Sequence, residues 1–164
     1  MVQCYLIALG SNRRHQRFGS PERVLQAALA ALARAGLTLE RAGPVVRSAP
    51  LGPSRRRYSN SAALIKTRFE PPELLARLKR IEAQFGRRGG GARWSARVLD
   101  LDIVLWSGGA WCSPGLTIPH LQFRRRSFVL TPALPIAGHW RDPLTGLSLR
   151  HLHARLTRPR PAPR

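Results

Sequence analysis

Asp100-Leu101-Asp102 lies inside an apolar run from Val98 to Trp106. In a strand, side chains two apart share a face and their Cα atoms sit roughly 6.5–7 Å apart. Two carboxylates so placed repel each other and resist desolvation unless a cation joins them. Mg²⁺ suits that role, because it keeps several waters, takes one or two carboxylates and is completed by substrate phosphates. The other reading is a solvent-facing strand carrying two acids. The chain has only eight acidic residues, so finding two on one strand face favours the metal. Arg87, Arg93 and Arg97 precede the pair, in and after the stretch Gly86-Arg87-Arg88-Gly89-Gly90-Gly91. Guanidinium forks match phosphate oxygens, and a loop bearing them can close over a polyphosphate and exclude water. No Gly-Lys-Ser/Thr follows the glycines, so this is not a P-loop.

Other residues carry weaker signals. Glu82 borders a helical apolar stripe; a nucleoside contact competes with a simple i,i+3 pair with Lys79, which the residues alone favour. Tyr58, Asn60 and Trp94 offer aromatic faces and an amide edge for a flat heterocycle, although singly each reads as an ordinary core or surface residue. His120, after Ile118-Pro119, is a phosphate ligand or proton donor, or a satisfied structural histidine. His151 and His153 read as surface residues, and Cys4 and Cys112 as buried small hydrophobes.

Tyr5-Leu6-Ile7-Ala8-Leu9 reads as a buried strand closed by Gly10-Ser11-Asn12. Ser20-Pro21-Glu22 is a helix start, with a hydroxyl cap, Pro at the first helical position and an acid near the positive end. Val24, Leu25, Ala28, Leu32 and Ala35 follow at helical spacing until Gly36. Val45 and Val46 mark a second strand, Ser48 to Pro53 a stiff loop, and Tyr58 to Thr67 a third strand. Pro71-Pro72-Glu73 opens a second helix with the stripe Leu74, Leu75, Leu78, Ile81 and Phe85. Val98 to Trp106 is a strand with Leu99, Leu101 and Ile103 on one face and Asp100, Asp102 and Val104 on the other. Short helices are expected around Phe128 to Leu130 and from Leu147 to Leu156. Helices over a largely antiparallel sheet, an α+β architecture, follow from this order.

The chain is 164 residues, the size of one domain, expected over residues 1–156 with an Arg/Pro-rich disordered tail at 157–164. Its 28 Lys+Arg include only Lys66 and Lys79 as lysines, and the net charge is +20. That balance favours polyanions. The joint abundance of Arg, Ala, Gly and Pro equally fits compositional drift. Two cysteines make no disulfide framework. There is no apolar stretch of about 18 residues and no secretory signal pattern at the start, so a cytoplasmic protein without membrane association is expected.

Taken together, these segments resemble one family, the 6-hydroxymethyl-7,8-dihydropterin pyrophosphokinases of folate biosynthesis. The resemblance runs from about Tyr5 to Ala137. It is carried by Tyr5-Leu6-Ile7-Ala8-Leu9-Gly10-Ser11-Asn12, by Ser48-Ala49-Pro50-Leu51-Gly52 with Tyr58-Ser59-Asn60-Ser61-Ala62, and by the helix from Glu73 through Glu82 to Arg87. The signature Arg93-Trp94-Ser95-Ala96-Arg97-Val98-Leu99-Asp100-Leu101-Asp102-Ile103 follows, and Ile118-Pro119-His120 and Arg126-Ser127-Phe128-Val129-Leu130 complete it. The resemblance implies a ferredoxin-like α+β fold and transfer of diphosphate from ATP to the hydroxymethyl group of the pterin, releasing AMP. It implies that Asp100 and Asp102 hold two Mg²⁺ ions, and that Arg97, His120 and Arg126 bind phosphate. Arg87 would arrive on a closing loop, and Arg87, Arg97 and His120 would form the catalytic set. Glu82, Ile103 and Thr117 would contact the nucleoside, while Ser48, Leu51, Tyr58, Asn60, Trp94 and Phe128 would line the pterin slot. ATP and the reduced hydroxymethylpterin are the expected ligands of a monomer, with no specific nucleic-acid partner.

The sequence departs from the family pattern at Gly89, often basic there, at Gly115, where some members carry arginine, at Ser48-Ala49, and at Arg55-Arg56-Arg57. The alternatives are a diverged paralogue binding or modifying another pterin and a basic nucleic-acid-associated protein on the same scaffold.

Overall fold

Along the first strand, Tyr5, Ile7 and Leu9 point one way and Leu6, Ala8 and Gly10 the other. The computed structural model describes residues 1–50, 56–86 and 98–159. In it that strand, β1 (Gln3–Ser11), is an interior member of a five-stranded sheet, between β4 and β5. The helix α1 (Pro21–Arg34) follows, then β2 (Thr38–Ala42), β3 (Val46–Ser48), β4 (Tyr58–Thr67), α2 (Pro71–Gln84) and β5 (Asp100–Trp106). The hairpin β6 (Trp111–Ser113) and β7 (Leu116–Ile118), a 3-10 turn at Phe123–Arg125, α3 (Ser127–Ala137) and α4 (Leu149–Thr157) complete the order. The path is β2-β4-β1-β5, with β3 also pairing β4, and every pairing in this sheet is antiparallel.

The two faces carry separate cores. Tyr5, Ile7, Leu9, Ala63, Ile65, Leu101 and Ile103 pack with the buried stripes of α1 and α2. Leu6, Ala62 and Val104 pack with Phe123 and with α3 and α4. Ser20 caps α1 through the Arg23 N–H, and the turn after it is closed by Gly36 at φ +80°, a conformation open mainly to glycine. Among the described residues no helix is long and apolar enough to cross a membrane.

Several sequence expectations change. β2 was not foreseen, because its residues are largely exposed and its identity as an edge strand rests on main-chain pairing with β4. The second strand starts at Val46 and includes Ser48, which pairs with Tyr58 instead of opening a loop. The hairpin β6–β7 was missed; Gly115 takes φ +77° between its strands. The short helix near Phe128 runs on to Ala137 through Pro132 and Pro135, since burial of Val129, Leu130, Ala133 and Ile136 outweighs the two missing donors. Gly43 permits this packing: a Cβ there would land on the Pro132 carbonyl oxygen. Cys4 is half-buried and Cys112 exposed, so neither fills the core. His153 is not a free surface group, since its Nε2 meets Thr131 Oγ1 at 3.0 Å and ties α4 to α3.

Asp142 is a fully buried carboxylate. Arg124 donates to it through Nε at 2.7 Å and Nη2 at 2.8 Å, and Thr145 Oγ1 and Leu144 N–H add bonds at 2.6 and 3.1 Å. Burial pushes its pKa up, but the Arg124, Thr145 and Leu144 hydrogen bonds outweigh that and hold it below the ordinary aspartate value. A carboxyl with a depressed folded-state pKa contributes stability that is complete above about pH 5 and fades as pH falls through its unfolded value of about 4. Asp142→Asn is therefore expected to flatten the pH dependence of the urea midpoint between about pH 5 and 2, and an unchanged slope there would disprove the assignment.

Candidate functional site

The register of β1 assembles the site. Gly10 pairs with Asn60 of β4 on one side and with Asp100 of β5 on the other; Ala8 pairs with Ala62 and Asp102. Cross-strand partners share a face, so Tyr58, Asn60, Asp100 and Asp102 all point away from α1 and α2. Gly10 and Ala8 leave the floor between them low. A Cβ on Gly10 would lie 3.5 Å from Asn60 Oδ1 and 4.0 Å from Tyr58 Cδ1. Strands two apart are separated by about 9.6 Å, which is the spacing between the Asn60 strand and the strand of the carboxylates. Asn60 is nearly fully buried, and its Nδ2 donates to Ser48 Oγ at 2.9 Å. That bond orients the amide.

His120 completes the carboxylate end. Its Nε2 stands 4.0 Å from Asp102 Oδ2, while Nδ1 accepts the Gln122 N–H at 3.1 Å. Nδ1 as acceptor puts the proton of the neutral ring on Nε2. Burial lowers the His120 pKa; Asp102 and Asp100 oppose this and Arg126 adds to it, with a net downward shift. His120 thus presents an Nε2 donor beside Asp102. Arg126 ends the 3-10 turn and Phe128 lies in the first turn of α3, half-buried against the second core.

Glu82 differs from its simpler sequence reading. It is almost wholly buried and does not pair with Lys79; its Oε1 accepts the Leu101 N–H at 2.8 Å. The bond is made at the outer edge of β5, between the two aspartates. The Ile103 side chain lies in the core below α2. Its main-chain groups fall on the same strand edge as those of Leu101, so any ligand contact from Ile103 is through its main chain. Thr117 is half-buried in β7. Leu51, Arg87, Trp94 and Arg97 lie outside the described residues, as does Gly89. The structure therefore brings together Ser48, Tyr58, Asn60, Asp100, Asp102 and His120, with Arg126 and Phe128 alongside.

Among the described residues no group of three or more His, Cys, Asp or Glu side chains could hold a metal. The donor set is two carboxylates, which fits a cation finished by phosphate and water and does not fit a closed structural site. On the far side of the sheet, a cavity of about 240 Å³ between α1 and α2 is lined by Arg34, Arg77 and Arg80. Arg77 Nη1 reaches the Ala35 carbonyl at 3.5 Å, so basic side chains there answer the C-terminal end of α1.

Comparison with known proteins agrees with this geometry. The profile of the 7,8-dihydro-6-hydroxymethylpterin-pyrophosphokinase (HPPK) family matches residues 6–138. The chain belongs to this family. It is similar to the 2-amino-4-hydroxy-6-hydroxymethyldihydropteridine pyrophosphokinase of Haemophilus influenzae, at 40% identity over 140 residues covering 84% of this chain and 83% of the relative. The Pseudomonas aeruginosa enzyme of that name is 38% identical over 145 residues, covering 87% and 86%. The Synechocystis one is 37% identical over 153 residues, covering 92% and 75%. In fold, the chain resembles the solved Plasmodium falciparum HPPK-DHPS wild type, with a TM-score of 0.73, 12% identity and 94% of this chain covered. The match spans 41% of that longer chain.

Glu82→Ala leaves a buried N–H unmatched and is expected to cost about 1–3 kcal/mol. Glu82→Gln keeps the acceptor and recovers most of it. Urea unfolding and amide exchange at Leu101 read both effects; equal losses for Ala and Gln would show that the acceptor is not what matters.

Proposed function

We infer that the protein is an enzyme transferring diphosphate from ATP to the hydroxymethyl group of 6-hydroxymethyl-7,8-dihydropterin, releasing AMP, a step of folate biosynthesis. Family membership supports the reaction, and one observation supports the reading of its site: Gly10 lies between Asn60, whose amide is oriented by Ser48, and Asp100, with Asp102 two residues along the same face. The hydroxymethyl oxygen forms the new bond to the β-phosphorus, and the bond from that phosphorus to the α,β-bridging oxygen breaks. AMP leaves with that oxygen, and the hydroxyl proton is lost.

Ser48 holds Asn60 so that its amide reads the pterin edge, with Tyr58 and Phe128 as apolar walls. Asp100 and Asp102 hold two Mg²⁺ ions, which when bound supply charge neutralisation of the triphosphate. His120 donates from Nε2 to a phosphate oxygen, and Arg126 adds a fixed positive charge. Arg87, Arg97, Trp94 and Leu51 complete the site by family resemblance, with Glu82, Ile103 and Thr117 on the nucleoside side. No strong general base stands in this set, which suits a reaction driven by alignment and charge stabilisation. The nucleic-acid alternative is not favoured, because it gives no reason for two carboxylates on the open face.

AMP release from ATP and Mg²⁺, measured with and without the pterin, tests the reaction; AMP formed without dependence on pterin would sink it. Asp102→Asn is expected to lower turnover at least about 100-fold while leaving the thermal midpoint in place, and undiminished turnover would remove the metal role. Gly10→Val fills the floor beside Asn60. It is expected to weaken pterin binding about tenfold or more with ATP binding retained, as calorimetric titration of each ligand would show.

A further inference from the structure

Asp142 is fully buried, and no step of the reaction touches it. What it holds does bear on the reaction. The residues from His120 to Arg126 form one short unit. The Phe123 N–H donates to the His120 carbonyl and the Arg126 N–H to the Phe123 carbonyl, each at 3.2 Å. The start of this unit is tied to β5 by the His120 N–H on the Val104 carbonyl at 3.0 Å. Its end runs into α3, where Val129 and Leu130 N–H groups reach the Arg126 carbonyl. Its middle is tied by Phe123 in the core and by Arg124, whose Nε and Nη2 fork onto the two oxygens of Asp142.

The acceptor is itself fixed. Thr145 Oγ1 and the Leu144 N–H hold the Asp142 oxygens, and the Asp142 main chain closes the following turn through Gly146 N–H at 2.8 Å and Leu147 carbonyl at 2.9 Å. A planar guanidinium on a carboxylate held this way is fixed in direction as well as position.

The sequence makes the direction matter. Arg124, Arg125 and Arg126 are consecutive, and all three are chemically able to take a buried carboxylate. The structure seats only Arg124 on Asp142, leaving Arg125 exposed and Arg126 half-buried at the start of α3. Stability alone is a poor reason for this pair, since apolar replacements of buried ion pairs are often neutral or stabilising. We propose that the Arg124–Asp142 pair is a positioning device: it selects which arginine of the run turns inward and so presents Arg126, with His120 at the other end of the same unit, to the polyphosphate. Neither residue of the pair touches substrate. The inference rests on the assignment of Arg126 and His120 to phosphate binding.

Steady-state kinetics and calorimetric Mg-ATP titration of three variants of the full chain test it: Asp142→Asn, Arg124→Lys, and the double variant Arg124→Leu/Asp142→Leu. All three are expected to raise the KM and Kd for ATP about tenfold, with kcat changed less than about threefold and the pterin KM unchanged. Lysine keeps the charge and loses the fork, so it should not rescue. The double variant removes both charges together and is expected to keep a near-native thermal midpoint while retaining the ATP defect. Native ATP constants in the folded double variant would overturn the proposal, as would equal losses in the ATP and pterin KM values. If Asp142→Asn does not fold, the other two variants decide by the same measurements. If the wild-type chain itself fails to bind Mg-ATP, the phosphate-site reading falls and this inference falls with it; wild-type binding with unaffected variants refutes the inference alone.

Discussion

The register of β1 between β4 and β5 is the constraint on which the rest depends. Side chains alternate with a period of two, so a slip of one residue against either neighbour exchanges the faces. Asp100 and Asp102 would then enter the layer now filled by Leu101, Ile103 and the stripes of α1 and α2, where unpaired carboxylates are very costly. Burial of Tyr5, Ile7 and Leu9 against those helices is what holds the register. The same apolar packing that folds the sheet therefore places the two acids on the other face. Gly10 and Ala8, the residues of β1 between the aspartates and the Asn60 side, add the second half of the design by being small.

The acids are sparse in a chain of net charge +20, and the fold gives most of them structural tasks. Glu22 pairs with Arg47 at 3.1 Å and Glu40 with Lys66 at 2.9 Å. Glu70 accepts from Gln3 Nε2 at 2.6 Å, and Glu73 accepts the Glu70 N–H at the start of α2. Glu82 holds β5, and Asp142 holds the turn before α3. Asp100 and Asp102 are the two that the sheet presents together on an open face, beside His120. Exposed pairs such as Lys66–Glu40 contribute little to stability. The proposed chemistry thus rests on a small number of placed carboxylates within a strongly basic chain.

How much of this was legible follows from how local each signal is. The strands β1, β4 and β5 and the helices α1 and α2 announce themselves through alternation, apolar stripes and Ser-Pro or Pro-Pro starts, and the structure keeps them within a residue or two. The aspartate pair is readable for the same reason, since spacing two in a strand fixes a shared face. β2 was not readable, because an exposed edge strand has no buried side to impose a pattern. The extent of α3 was hidden by Pro132 and Pro135, whose local cost is overruled by tertiary burial. The Lys79 pair that the residues alone favour for Glu82 gives way to a contact with a main-chain N–H on another element, 19 residues away, which no local pattern announces. The Arg124–Asp142 pair spans 18 residues and depends on a turn, so no local pattern announces it.

Among the described residues the two faces of the sheet also differ in how completely they are covered, and the proposed site lies on the less covered one. The α1/α2 face is core along its length, from Tyr5 to Leu9 on β1. On the other face, α3 packs over Leu6, Ala62 and Val104, and the ranks beyond them carry Asn60, Gly10 and Asp100. Had α3 begun a turn earlier, that end would be sealed too. Its start is set by the 3-10 turn at Phe123–Arg125, which places Arg126 at the boundary and Phe128 in the first turn. Gly43 lets the body of α3 approach the sheet closely, so the helix is seated without spreading toward the open ranks. Among the described residues this end of the face is thus bounded by the end of a packed helix, and the side chains at that end, Arg126 and Phe128, are the charge and the apolar wall proposed for the reaction.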